Sequence, residues 1–185
     1  MRKTAIIFPG IGYHTDKPLL YFSKKLAREN GYEIIEVPYG GFSSGIKGNK
    51  EKMQEAFNHA FTQTKEVLKD QVFSADDDIL VISKSIGTIV AAAWQKELGL
   101  PARNIYFTPL AETFLFTRLG SGIAFHGTKD PWADSDVIAD KCQQFQIPLY
   151  CVEKANHSLE RDAISDLKML KKVMARCQCY IAQES

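Results

Sequence analysis

The chain of 185 residues has no apolar run approaching the ~20 residues that a membrane-spanning helix requires. Its start, Met1-Arg2-Lys3-Thr4, is basic, but the apolar stretch Ala5-Ile6-Ile7-Phe8 stops at Pro9-Gly10, too short for a signal-peptide core. A formal net charge of +1 gives no electrostatic case for nucleic acid or an acidic membrane as partner. The four cysteines (Cys142, Cys151, Cys177, Cys179) form no CxxC pair and no metal-spaced set with histidines, so they read as free thiols of a reducing cytoplasm. Cys177 and Cys179 fall two apart in a predicted helix, where such positions do not face each other. No Gly-Lys-Ser/Thr phosphate loop exists, since Gly48-Asn49-Lys50-Glu51 fails the pattern. Gly10-x-Gly12 lacks a third glycine, where Thr15 stands, and the acidic residue expected after the second strand is replaced by Val37-Pro38-Tyr39, with Glu36 the nearest carboxylate. A nucleotide cofactor is therefore not expected, nor is a metal or other organic cofactor. Repeats, low-complexity tracts and long linkers are also missing, so one domain over residues 1–185 is expected.

What is present is an alternation of short apolar runs with helical patterns. Strands are predicted at 3–8, 32–37, 78–82, 104–108, 122–126 and 148–152. Between them, helices are predicted at 17–30, with Asp16 as cap and Pro18 in the first turn, at about 50–69, at 85–98 and at about 135–145. A brief helix is predicted within 110–119. An amphipathic helix on Ile164, Leu167, Leu170, Val173, Met174 and Cys177 closes the chain. Near-continuous apolar strands separated by helices predict an α/β class: a doubly wound, mainly parallel six-stranded sheet with helices on both faces. If the first and third strands are neighbours, the loop Pro9-Gly10-Ile11 and the end of the third strand flank the crevice where such sheets bind ligands.

At that strand end stands Ser83-Lys84-Ser85-Ile86-Gly87, joining the apolar run Ile79-Leu80-Val81-Ile82 to the helix former Thr88-Ile89-Val90-Ala91-Ala92-Ala93-Trp94 with almost no loop. So fast a turn demands positive φ at its centre and small residues two before and two after, here Ser83 and Gly87. A serine presented this way needs a base to take its proton, a third group to orient that base, and donors for an oxyanion. Past the fifth strand lies Asp130, in His126-Gly127-Thr128-Lys129-Asp130-Pro131. Past the sixth lies His157, in Asn156-His157-Ser158.

A small-x-Ser-x-Gly elbow between strand and helix, followed in order by an acid and a histidine just after later strands, resembles the α/β-hydrolase superfamily, specifically its small single-domain serine hydrolases of the esterase and dienelactone-hydrolase-like kind. The resemblance runs from Lys3 to the last helix and begins at that family's third strand, without the two antiparallel strands placed in front in larger members. It implies Ser85 as nucleophile, Asp130 as acid, His157 as base, and an oxyanion hole made by the backbone N–H groups of Ile86 and Ile11. Gly10 and Gly12 would let the backbone at Ile11 approach a ligand. It also implies a small-molecule ester or thioester substrate, a cytoplasmic setting, and no large lid. Two departures stand out: Pro9-Gly10 replaces the usual His-Gly, and Ser83 replaces glycine at the start of the elbow. Lys84 beside the nucleophile is uncommon and is expected to pair with a carboxylate or to reach solvent.

Competing readings exist at each position. Ser85 could be an ordinary helix cap. Asp134, Asp136 and Glu112 rival Asp130, which could itself be a turn residue before Pro131. His14, His59 and His126 rival His157; His59 falls on a helix as a solvated side chain, and His126 reads as a packed structural histidine. Phe114, Phe116 and Trp132 are candidates for an acyl pocket or for plain core. The segment from Gly40 to Gly48, with four glycines, either covers the site or only connects. At the level of function, an acyltransferase with the same triad and a non-catalytic binding protein on a hydrolase fold remain as alternatives.

Overall fold

The computed structural model describes residues 2–46 and 48–183. Met1, Glu184 and Ser185, at the ends of the expected domain, and Lys47, in the glycine-rich segment, lie outside the described residues. Among the described residues there are six strands: β1 (Lys3–Phe8), β2 (Glu33–Glu36), β3 (Asp78–Lys84), β4 (Arg103–Phe107), β5 (Gly122–Gly127) and β6 (Leu149–Val152). Around them lie α1 (Pro18–Glu29), α2 (Lys50–Leu68), α3 (Ile86–Leu98), α4 (Ser135–Gln144), α5 (Ala163–Ala182) and one 3-10 turn (Ala111–Leu115) between β4 and β5. The strands form one sheet in the order β2-β1-β3-β4-β5-β6, every neighbouring pair parallel.

Because parallel strands are joined by crossover helices, both faces of the sheet must be apolar. Alternate residues supply each side. Ala5, Ile7, Leu80, Ile82, Phe107 and Phe125 pack beneath α1 and α5, against Leu20, Val173 and Cys177. Ile6, Phe8, Ile79 and Val81 pack against α2 and α3, with Ala60, Val90 and Trp94 buried there. Tyr106 and Ala124 meet Ile138 and Cys142 of α4. The chain leaves β1 toward β2 on one side and pairs β1 with β3 on the other, so the strand order reverses between β1 and β3, as expected. Among the described residues no helix is long and apolar enough to cross a membrane.

Two local expectations need correction. Asp16 does not cap α1: Lys17 occupies the cap without a side-chain hydrogen bond, and Pro18 presets the first turn. The Asp16 carboxylate instead pairs at 3.2 Å with the ammonium of Lys24, which also reaches Glu36 at 2.8 Å. A nearly buried ammonium needs counter-charge more than a helix that starts on proline needs a cap. In α5 the buried residues are Met169, Val173, Cys177 and Ile181, while Ile164 and Leu167 are 65% and 66% exposed. The helix comes down on the sheet only from Met169 onward, so its first turn keeps its apolar side chains in water.

A backbone approach that leaves no room for a side chain is at Gly87 in the first turn of α3. A Cβ there would lie 2.4 Å from the Pro9 carbonyl oxygen and 2.6 Å from that of Phe8. Neither backbone atom can retreat without shifting the end of β1. Gly87→Ala is therefore expected to lower stability by about 1–3 kcal/mol, read as an earlier urea midpoint at unchanged slope.

Candidate active site

Ser85 has φ 57° and ψ −127°, the strained backbone that the abrupt strand-to-helix turn demands. It occupies the cap position of α3 yet makes no side-chain cap hydrogen bond, which removes the reading of Ser85 as an ordinary cap. Its main chain is held instead: the N–H donates to Phe107 O at 3.0 Å, and Ser85 O accepts from Thr88 N at 2.8 Å and Thr88 Oγ1 at 2.6 Å. The hydroxyl is left to point elsewhere. Ser83 is fully buried, with its Oγ 3.4 Å from Ile105 O.

The loops after β5 and β6 are laced together. Gly127 sits where a Cβ would come within 2.5 Å of both Ala155 O and Asn156 O, so only glycine permits the approach. Beyond it, Thr128 N donates to Val152 O at 3.1 Å, Lys129 N to Ala155 O at 2.9 Å, and Lys154 N to Thr128 Oγ1 at 2.8 Å. This lacing sets Asp130 against His157. Asp130 Oδ2 lies 2.7 Å from His157 Nδ1, and His157 Nε2 lies 2.7 Å from Ser85 Oγ. The other carboxylate oxygen, Oδ1, accepts from Trp132 N at 2.8 Å. The Trp132 ring stacks on the His157 imidazole, centroids 5.5 Å apart and planes 26° from parallel.

The rivals are placed elsewhere. Asp134 is the cap of α4, accepting from Asp136 N and Val137 N, while Asp136 and Glu112 are exposed. His59 is exposed on α2 beside Gln63, and His14 is exposed, its Nδ1 accepting from Asp16 N at 3.3 Å. His126 is fully buried under the acid loop. Phe114 is buried against the α4 side, and Phe116 stacks on Phe57 of α2, so of the three pocket candidates only Trp132 stands at the site. The described part of segment 40–48 lies on α2: Gly40 exchanges two hydrogen bonds with the Gln63 side chain, and Phe42 packs edge-on to Tyr39 and His59.

The loop after β1 closes on itself through reciprocal bonds between Gly10 and Tyr13, at 3.1 and 3.2 Å, with Ile11 and Gly12 at its tip. The Tyr39 hydroxyl donates to Pro9 O and anchors the loop's first residue. Gly10 approaches the serine so nearly that a Cβ would lie 3.2 Å from Ser85 Cβ. Ile86, the next residue, opens α3, and the N–H groups of a helix's first turn have no acceptor within the helix.

No family model and no curated protein matches the chain in sequence. Solved structures do match in fold. An α/β serine hydrolase homologue from Coxiella burnetii is 15% identical over 96% of this chain and 83% of its own, with TM-score 0.63. A serine hydrolase without lid, XC6422 from Xanthomonas campestris, is 17% identical over 94% and 81%, with TM-score 0.57. Est1E from Butyrivibrio proteoclasticus, solved with ferulic acid, is 11% identical over 98% and 89%, with TM-score 0.71. The fold is that of the α/β hydrolases.

On this α/β-hydrolase frame the electrostatics of the three residues follow from burial. Burial pushes the Asp130 carboxyl up, but the hydrogen bond and charge of His157, the Trp132 N–H and His126 outweigh it and hold the group below the usual carboxylate range. Burial pushes His157 below its ordinary value; Lys84 and His126 add to the depression, and Asp130 opposes it.

Lys84 neither pairs with a carboxylate nor reaches solvent, contrary to expectation. It is 1% exposed, on the sheet face shared by Leu80 and Ile82, and so points into the core beneath α1. Its Nζ donates to Thr108 Oγ1 at 2.6 Å and lies 5.1 Å from the centre of the Tyr13 ring. Among the described residues it has no ion pair. Burial lowers its pKa to about 7, against the pull of Asp130 and Glu160. Sequence reasoning had no signal for either partner, since Thr108 takes φ 44° at a strand end where nothing in its neighbours demands it.

An amine whose pKa falls on folding costs stability wherever the unfolded chain binds the proton more tightly. That cost is absent above the unfolded value of ~10.5, grows as pH falls through the window down to about 7, and is constant below it. Lys84→Met keeps the stem and removes the amine. The variant is expected to be more stable than wild type by about 1–3 kcal/mol at pH 7, a margin that shrinks toward pH 10. Urea unfolding at the two pH values reads both.

Proposed function

We propose that this chain is a serine hydrolase that cleaves a carboxylic ester or thioester of a small acyl group through an acyl-enzyme intermediate. The observation that supports it is the line Ser85 Oγ–His157 Nε2 and His157 Nδ1–Asp130 Oδ2, both steps at 2.7 Å, beginning at a strained, uncapped serine. In this reading the serine O–H donates to Nε2 of a neutral His157 whose Nδ1–H donates to Asp130. Ser85 Oγ attacks the carbonyl carbon as its proton passes to Nε2, and the imidazolium is stabilised by the Asp130 carboxylate and by the face of Trp132. Collapse of the tetrahedral intermediate expels the alcohol or thiol, which takes the proton from Nε2. A water then repeats the sequence on the acyl-serine. The N–H groups of Ile86 and Ile11 are the proposed donors to the oxyanion, worth ~3–4 kcal/mol each in favourable cases.

Only 14 residues, 108–121, join β4 to β5, and five of them form the 3-10 turn, so this connection supplies no large lid. An open site suits small substrates that diffuse in from water, and the ferulic acid bound to Est1E makes esters of small aromatic acids an early class to screen beside short-chain esters. Transfer of the acyl group to another alcohol in place of water would use the same residues.

Wild-type protein is expected to label with a fluorophosphonate probe, and Ser85→Ala and His157→Ala to lose labelling while keeping the folded far-UV and near-UV spectra. A folded wild type that never labels would overturn the proposal. Ester turnover should rise with pH as His157 loses its proton. Because burial lowers that pKa, the midpoint should fall below the ordinary 6.5. Asp130→Asn, which spoils the tautomer of His157, should cut kcat by on the order of 10³–10⁴.

A further inference from the structure

Behind the acid stands an imidazole that the mechanism above does not use. His126, next to last in β5, is fully buried and lies on the α4 side of the sheet with Ala124. Its Nε2 is 2.9 Å from Ser135 Oγ in the first turn of α4. Its Nδ1 has no hydrogen-bond partner; among the described residues only Thr4 Oγ1 shares that condition. Yet the atom nearest in charge is the carboxylate of Asp130, whose Oδ2 is 3.9 Å away.

Burial pushes His126 below its ordinary pKa, against the pull of Asp130 and Asp134, so the ring is neutral and carries one proton. The two tautomers are not equivalent here. With the proton on Nε2, the Nδ1 lone pair would face an anionic oxygen across buried space, which is repulsive. With the proton on Nδ1, the N–H dipole faces the carboxylate and Nε2 accepts from the Ser135 hydroxyl. The second arrangement turns an orphaned atom into an electrostatic contact.

From this geometry we infer that His126 is a positioning residue for Asp130: the Asp130 charge selects the tautomer that turns the Nδ1–H of His126 toward the carboxylate oxygen that also holds His157, and the Ser135 hydroxyl accommodates it by donating to Nε2. This rests on the reading of Asp130 and His157 as acid and base. The carboxylate is then held by two hydrogen bonds, from Trp132 N–H on Oδ1 and from His157 Nδ1–H on Oδ2, and Oδ2 also faces the N–H dipole of His126 at 3.9 Å. Without His126 the full charge of Oδ2 falls on His157, which then holds its proton to higher pH. The other charged and titratable groups around this pair are Lys84 on β3, on which Glu160 in the loop before α5 also acts, and Asp134 at the cap of α4. They are unchanged in the variants below.

The test is the contrast between His126→Asn and His126→Gln. Asparagine can place its NH2 where Nδ1 stands and keeps a donor toward Asp130. Glutamine reaches to the place of Nε2, meets Ser135, and leaves Asp130 without one. The primary readout is the titration of the His157 ring in the NMR spectrum of the resting protein, assigned with His157→Ala. It needs no turnover, so it is decided separately from whether the protein labels with a fluorophosphonate. His126→Asn is expected to titrate as wild type. His126→Gln should raise the His157 midpoint by roughly half to one unit, and in an active protein lower kcat/KM at pH 6 by roughly three- to tenfold with its high-pH plateau less affected. Ser135→Ala leaves the ring and the Asp130 charge that selects its tautomer in place, and should leave the His157 midpoint as in wild type. Equal shifts in the Asn and Gln variants would mean that the ring's bulk matters and its N–H does not. No shift in either would make His126 plain packing. Should the Gln variant not fold, His126→Leu, which fills the space without an N–H, takes its place, and an unshifted His157 midpoint there decides the matter against the inference.

Discussion

The backbones of β1 and α3 touch at Gly87, and the site depends on that contact. Because the helix starts so close to the ends of Phe8 and Pro9, the turn from β3 has one residue in which to reverse, and Ser85 absorbs the strain. The same closeness puts Gly10 against the serine and leaves the first N–H groups of α3 beside the loop after β1. A second close approach, Gly127 against the loop after β6, does for the acid and the histidine what Gly87 does for the nucleophile. Two contacts that tolerate no side chain thus set three side chains from three strand ends within hydrogen-bond reach.

Around those three residues the polar groups are buried, and burial works against their charged forms. Lys84 below the elbow and His126 below the acid loop lose proton affinity to burial, while Asp130 keeps its charge because donors surround it. One anion satisfied by hydrogen-bond donors avoids the further desolvation cost of two buried cations. Thr108 and Tyr13 are what make a buried Lys84 tolerable, one by accepting its N–H and the other by offering a ring face to its ammonium form.

Much of this was legible in the sequence because the deciding signals are local. The six strands, their parallel class, and the small residues flanking Ser85 are patterns of neighbours, and the places of Asp130 and His157 just after strands follow from them. The sequence could not say where the side chain of Lys84 goes, since a lysine at a strand end reads equally as solvated or paired, and its burial is decided by Tyr13 and Thr108 from two other elements. Asp16 read as a cap for the same reason: its competitor, Lys24, lies eight residues on and becomes demanding only once it is buried. The face of α5 was misjudged at Ile164 and Leu167 because periodicity shows which side is apolar and not where along the helix the sheet begins. His126 was legible as packed; its closeness to Asp130 required the turn through Gly127.

Among the described residues β2 is one outer edge of the sheet, four residues long, and β6 is equally short at the other side. An outer strand offers unpaired main-chain groups to any other extended chain, and short length limits what can be gained by pairing there. Here β2 also begins and ends on carboxylates: Glu33, bridged to Arg2 at 3.1 Å, and Glu36, bridged to Lys24. Two copies brought edge to edge would set these acids against one another. At both borders it is shortness, four residues on each side, that limits what another extended chain could gain by pairing.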